Sequence, residues 1–333
     1  VCVMHAPEDT TGADVSFVSK DAGDGVSELA IPHRGSRRIT LRPEALDRHL
    51  GKNDLLVLHE GWVTNNIVAA AHARRAGVPY IVMPHGVYEP AWMKYLKPPR
   101  WLRNRLERRV LEGAAAVHMF FDSEIADVRS LAPRANFITV PTGFDLPTEQ
   151  WTGGGGYIGW VGRIDPVHKG LDVLVGAIGQ MAPANRPLLR ICGYDYKGGS
   201  AALQQQITDR GLSDWVRLEG PIAGDAKTRF LREADGYVHP SRWECHSIAL
   251  LENLSMGVPC LVSNAIHIAD TLKRAGAAVL SAPQEVALAA ALPQLAREQP
   301  LIAHRGRALI ADAFNWHTLM PQFASAIGRL GLQ

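Results

Sequence analysis

Two segments in the second half of the chain carry side chains that could do chemistry together. The first runs from Gly159 to Asp172 and contains Gly162-Arg163-Ile164-Asp165-Pro166-Val167-His168-Lys169-Gly170. An apolar run ends at Gly162-Arg163, and a helix-like run begins at Leu171. A strand would therefore deliver Arg163 to its carboxyl end, and a short loop would present Lys169. Two fixed cations at a strand-to-helix turn can hold a diphosphate and stabilise charge developing on a leaving group. From these residues alone, a solvated turn with ordinary surface charges reads equally well.

The second segment follows Gly236-Tyr237-Val238-His239 and reads Pro240-Ser241-Arg242-Trp243-Glu244-Cys245-His246-Ser247-Ile248-Ala249-Leu250-Leu251-Glu252, closing at Gly257-Val258-Pro259. A helix starting near Ser247 leaves Glu244 in the preceding loop and puts Glu252 about one and a half turns in. The first amides of such a helix, at His246, Ser247 and Ile248, lack intrahelical partners and suit a pyrophosphate. Glu252 can accept from ribose hydroxyls and Glu244 from sugar hydroxyls. Glu244 also reads as a carboxylate complementing the helix dipole. Glu252 lies inside an apolar stretch, where an idle charge is costly.

The elements that must position these residues follow an α/β rhythm of short apolar runs alternating with longer amphipathic ones. Strands are predicted at Val15–Ser19, Leu55–His59, Tyr80–Pro84, Ala116–Phe120 and Phe137–Pro141, with helices near Arg42–Leu50, Thr64–Ala76, Arg100–Glu112 and Ser123–Leu131. Gly77-Val78-Pro79 is a helix stop followed by entry into a strand. The rhythm breaks at Pro141-Thr142-Gly143-Phe144-Asp145-Leu146-Pro147 and Gly153–Gly156, which places a domain boundary between about 146 and 156. It then restarts, with strands at Tyr157–Val161, Leu188–Cys192, Val216–Leu218, Gly236–His239, Cys260–Ser263 and Ala277–Leu280. Helices fit Leu171–Met181, Ala201–Arg210, Lys227–Glu233, Ser247–Met256, His267–Arg274, Gln284–Arg297, Leu301–Ala313 and Trp316–Leu330. Two such halves leave a ligand site at facing carboxyl ends of strands.

In this order, the two segments resemble the retaining nucleotide-sugar glycosyltransferases of family 4, which have the GT-B architecture. Arg163, Lys169 and Gly170 match the family's GR-x5-KG turn; Glu244 and Glu252 match its E-x7-E signature; Gly257 and Pro259 match the G-x-P after that helix. Pro84-His85-Gly86 and Pro141-Thr142-Gly143-Phe144-Asp145 are further family-like pieces, with Thr142 where Asn is usual. The resemblance runs from about residue 54 onward. It implies an α/β fold of two Rossmann-like parallel-sheet domains facing across a cleft. On this basis 1–147 would be an acceptor-side domain, 157–314 a nucleotide-sugar-binding domain, and 315–333 a C-terminal helix crossing back to the first.

The resemblance also implies roles. Arg163 and Lys169 would grip the donor diphosphate with His246, Ser247 and Ile248, Glu252 the ribose, and Glu244 the transferred sugar. His85 would reach that sugar from the first domain, although a lone histidine after a strand is more often structural. The base pocket, largely main chain, would lie near Gly220-Pro221-Ile222. Transfer would retain anomeric configuration by front-face attack, with Glu244 a positioner. No cofactor is implied beyond the nucleotide-diphosphate sugar as donor substrate, and no metal, because no Asp-x-Asp motif is present.

The match departs at the start. Only Ala6–Asp14 separates Val1–His5 from the next strand, too short for a βαβ crossover helix, and Thr11-Gly12 poorly replaces a glycine loop. The partners expected are the donor and a glycan, lipid-linked or small-molecule acceptor. Residues 92–110 mix cations with aromatics and suit a peripheral contact at an inner membrane face; a helix docked on its own domain with a solvated basic rim is the alternative. A sugar-nucleotide epimerase or hydrolase on the same scaffold, or a non-catalytic nucleotide-sugar-binding relative, are the competing functions. Cys245-His246, adjacent in sequence, make a poor nucleophile pair.

Composition sets the outer bounds. The 333 residues are 47% hydrophobic and 20% charged, as in an ordinary globular protein and unlike a disordered one. A net charge of +2 gives no support to nucleic acid as a partner. Four cysteines without a CxxC pair argue against a disulfide scaffold or zinc knuckle. No apolar run reaches the roughly 18 residues that span a bilayer, and Val1–Pro7 lacks signal-peptide features. A cytoplasmic enzyme is expected.

Overall fold

A computed structural model describes residues 2–5, 16–21, 26–31, 33–34, 42–94 and 100–330. Thr11-Gly12, Val15 and Tyr95–Pro99 lie outside the described residues. The chain divides into two compact units, Val1–Pro141 with Met320–Gln333, and Thr142–Leu319.

The strands of the first unit are β1 (Cys2–His5), β2 (Ser16–Asp21), β3 (Val26–Ile31), β4 (His33–Arg34), β5 (Arg42–Pro43), β6 (Leu56–His59), β7 (Tyr80–Met83), β8 (Ala116–Met119) and β9 (Phe137–Thr139). Its helices are α1 (Thr64–Ala76), α2 (Pro90–Met93), α3 (Arg100–Glu112) and α4 (Ile125–Leu131). Seven strands form one sheet in the order β3-β2-β1-β6-β7-β8-β9. β1 joins the parallel block through β6, while β1, β2 and β3 form an antiparallel meander with Cys2 opposite Lys20 and Ser16 opposite Ile31. The connection after His5 is too short for a crossover helix but long enough for a hairpin-type return. The helix expected over Arg42–Leu50 is instead the strand β5 and a single 3-10 turn at Leu46–Arg48. Pro43 accounts for the extended start, since it disfavours helical geometry at Arg42. Leu56, Leu58, Val82 and Val117 form the core, with Ala69, Ala70 and Ala73 of α1 buried against it. Gly77 ends α1 at φ 68°, its amide donating to the Ala73 and Arg74 carbonyls.

The second unit contains β10 (Tyr157–Ile164), β11 (Leu188–Asp195), β12 (Val216–Glu219), β13 (Gly236–His239), β14 (Cys260–Ser263) and β15 (Val279–Ser281). They form a parallel sheet in the order β12-β11-β10-β13-β14-β15. Its helices are α5 (Leu171–Gln180), α6 (Gly199–Asp209), α7 (Gly224–Glu233), α8 (Ile248–Met256), α9 (Ala269–Ala275), α10 (Glu285–Ala313) and α11 (Trp316–Gly328). α10 is one helix across Pro293 and Pro300, where a break after Arg297 was expected; packing on α5 and α8 holds it through the lost hydrogen bonds. The first turn of α11 belongs to the second unit and the rest to the first, where Phe323 meets the His118 ring edge-on at 5.3 Å. Among the described residues, no helix is long and apolar enough to cross a membrane.

Candidate active site

β10 lies at the centre of its sheet and carries Arg163 to its carboxyl end. The Arg163 guanidinium stacks on the Tyr196 ring at 4.3 Å, and its Nη2 is 3.1 Å from His168 Nδ1. The loop to α5 turns tightly: the Asp165 carboxylate accepts from the His168 amide at 3.1 Å, and the Asp165 carbonyl from the Lys169 amide at 2.9 Å. Gly170 closes the loop at φ 65°, where a Cβ would stand 2.0 Å from the Pro240 carbonyl oxygen. Only glycine permits that approach.

The approach matters because Pro240 opens the second chemical segment. Arg242 locks the two loops together, its amide donating to the His168 carbonyl at 3.0 Å and its guanidinium gripping both Asp172 oxygens at 2.7 Å. Lys169 Nζ then meets Glu244, donating to the two carboxylate oxygens at 2.9 and 2.8 Å, with both side chains largely buried. His239 and His168 each place Nε2 3.8 Å from Glu244 Oε2.

Electrostatics follow from burial. Burial pushes the Glu244 carboxyl up, but Lys169 and then His239 outweigh it, so Glu244 ionises below its ordinary range. Burial pushes the His239 imidazole down to about 4 and also lowers His168 and His246. At neutral pH these three rings are uncharged, and the fixed positive charge belongs to Arg163 and Lys169. Ser247 caps α8, its Oγ accepting from the Leu250 amide at 3.4 Å. The first-turn amides of Ile248 and Ala249 have no intrahelical acceptor, and both residues line a cavity of about 350 Å³ together with Arg163, Lys169, Glu244, His246 and Ser247.

The structure thus brings Arg163, Lys169, Glu244, His246, Ser247 and Ile248 to one cavity. It does not bring Glu252 or Ile222 there. Glu252 pairs with Lys227 of α7 at 2.6 Å, and Ile222 lies in the loop leading into that helix. His85 belongs to the first unit, at the end of β7, with φ 55°. Its Nε2 is 2.7 Å from His59 Nδ1 at the end of β6, and the two rings stack at 5.0 Å. Glu60 and Trp62, just after β6, also adopt positive φ. Such strain in non-glycine residues gathers at functional sites. Cys245 Sγ is 3.2 Å from His246 Nδ1, a closer contact than adjacency in sequence suggested.

Comparison with known proteins places this geometry. The family described as "Glycosyl transferases group 1" matches residues 155–298, and that described as "Glycosyl transferase 4-like domain" matches residues 2–143. The Anabaena protein HepE, solved in complex with UDP, superposes with a TM-score of 0.72 at 18% identity, over 85% of this chain and 81% of that one. The chain has the GT-B fold, and each of its halves matches a glycosyl transferase family model. Among curated relatives, a D-inositol 3-phosphate glycosyltransferase of Frankia alni is 26% identical over 62% of this chain and 57% of its own length. A GDP-mannose:cellobiosyl-diphosphopolyprenol alpha-mannosyltransferase of Komagataeibacter xylinus is 24% identical over 92% of this chain and 78% of its own. The chain spans little more than half the length of the first of these relatives.

Within this GT-B chain, sequence reasoning assigned nothing to His168, His239, Trp243 or the Arg242–Asp172 pair. The contacts of His168 with Trp243 and of Arg242 with Asp172 join residues about seventy positions apart. The one signal available was Gly170, whose demand for space implied a second backbone against it.

Proposed function

We propose that the chain transfers a sugar, with retention at the anomeric carbon, from a nucleoside-diphosphate donor to an acceptor hydroxyl. The observation that carries this reading is the cavity where Arg163, Lys169 and the first amides of α8 converge. On this reading the donor diphosphate sits against those groups, and the ribose and base extend towards Glu252 and the Ile222 loop. The bond from the anomeric carbon to the phosphate oxygen breaks, the acceptor oxygen bonds to the same face, and the acceptor's proton passes to the departing phosphate oxygen. Arg163, Lys169 and the helix dipole stabilise that departing charge, which leaves no task that requires a metal.

Glu244 positions the sugar. With both oxygens held by Lys169, its carboxylate is a poor nucleophile for a covalent intermediate. For His85 a contact with the transferred sugar is proposed from the family resemblance alone. A phosphate-bearing acceptor is the class this reading favours, since the names of both relatives contain one. Lys169→Ala and Glu252→Ala should each lower donor turnover tenfold or more, measured with a panel of nucleotide sugars. Wild-type rates in both variants would reject the assignment, and acceptor-independent release of altered sugar would favour an epimerase or hydrolase.

A peripheral membrane contact is supported by α3, where Trp101 is 69% and Leu102 41% exposed beside exposed Arg105, Arg108 and Arg109. It would bring a lipid-linked acceptor to a cytoplasmic enzyme.

A further inference from the structure

His168 is held from every side. A guanidinium can only donate, so the 3.1 Å contact with Arg163 Nη2 requires His168 Nδ1 to be unprotonated. The ring proton is then on Nε2, 3.1 Å from the Trp243 carbonyl oxygen, which can only accept. The imidazole lies flat on the Trp243 indole, with centroids 4.5 Å apart and 5° between planes. Its own amide and carbonyl are engaged by Asp165 and Arg242. Little freedom remains to the ring, so it can orient its neighbour. Arg163 is accordingly fixed on its face by Tyr196 and at its edge by His168.

We propose that His168 is a positioning residue for the diphosphate site: its neutral Nε2–H imidazole aligns the Arg163 guanidinium, and protonation at Nδ1 releases it. Protonation turns an acceptor into an N–H facing another N–H and sets two cations 3.1 Å apart. Facing the ring are Arg163 from β10, Asp165 and Lys169 from its own loop, and Glu244 and His239 from the β13 side. Burial and then Lys169 oppose its protonation, while Glu244 and Asp165 favour it, and the balance lies below the ordinary histidine value. The release therefore requires a pH below the ordinary histidine range. The effect on binding rests on the donor reading of the cavity; the link between the two side chains does not.

Two measurements on the full chain separate these. In nitrogen NMR of histidine-labelled protein, His168 should show the Nε2–H tautomer, and Arg163→Met should raise its titration midpoint. An Nδ1–H tautomer, or a midpoint indifferent to Arg163→Met, overturns the link. In calorimetry with UDP, GDP and inorganic pyrophosphate from pH 8 to 5, His168→Asn keeps an acceptor near the Nδ1 position and cannot titrate. It should bind within about threefold of wild type at pH 7.5 and lose less affinity in acid, the ligand's own titration being common to both proteins. His168→Leu should bind about tenfold more weakly at pH 7.5. Wild-type affinity in His168→Leu, or an unchanged acid loss in His168→Asn, overturns the positioning role. Failure of all three ligands to bind wild type rejects the donor reading and the binding role with it, and leaves the NMR result to judge the link.

Discussion

Glu244 shows how one buried charge is tolerated through another. Its carboxylate and the Lys169 ammonium are 13% and 15% exposed, so each depends on its partner to offset lost hydration. Lys169→Met should therefore cost about 3–5 kcal/mol by chemical denaturation, and the double variant Lys169→Met/Glu244→Leu should recover much of that. His239 makes a pH-dependent contribution. Its folded value of about 4 lies below the ordinary 6.5 because burial disfavours the cation. The neutral ring is thus the form the fold prefers. Its stabilisation is complete above pH 6.5 and is lost as pH falls towards 4, about 3 kcal/mol in all. His168 and His246 shift in the same direction and steepen the loss. Tm should fall through this window, and less so in His239→Phe. Individual residues were legible where they carry a charge or a helix signal, as with Arg163, Lys169, Glu244 and the Ser247 cap. His168 and Trp243 were not, because their stacking exists only once the two loops meet.

The unit that shapes the cavity is the pair of interlocked loops, after β10 and after β13. Gly170 is the point of closest approach, and it also needs a left-handed backbone. Gly170→Ala should destabilise by about 2–4 kcal/mol and weaken diphosphate binding, since Lys169 must move with it. Gly154→Ala is the control: its φ is also positive, at 82°, but no atom lies within 4 Å of a Cβ there. It should cost only about 1 kcal/mol. Elements were most legible where punctuation is strong. α1 and α3 occupy Thr64–Ala76 and Arg100–Glu112, and β13 and β14 occupy Gly236–His239 and Cys260–Ser263, as the pattern predicts. β3 escaped notice because Val26-Ser27-Glu28-Leu29-Ala30-Ile31 lacks clean alternation, and it is stabilised by pairing with β2. The sequence pattern splits α10 into two helices because Pro300 is a local breaker that tertiary packing overrides.

For the whole molecule, the membrane contact proposed for α3 is open to a direct test. The expected outcome is salt-sensitive binding to vesicles rich in anionic lipid, weakened about tenfold or more in Trp101→Ala/Leu102→Ala. Co-sedimentation at two ionic strengths measures it, and no binding at low salt would reject the contact. The GT-B plan was legible because the α/β rhythm restarts once after residues 146–156 and the ordered motifs of the second half resemble that family. The antiparallel start of the first sheet was not, since strand direction there is set by partners distant in sequence.

The two-part composition of the first unit also bears on synthesis. Its sheet is made before residue 141, yet residues 320–330, including the Phe323 that covers His118, are translated after all of the second unit. The half that leaves the ribosome first is therefore the half that finishes last. A chain cut back to residue 319 would hold all of the second unit and a first one lacking its final helical cover.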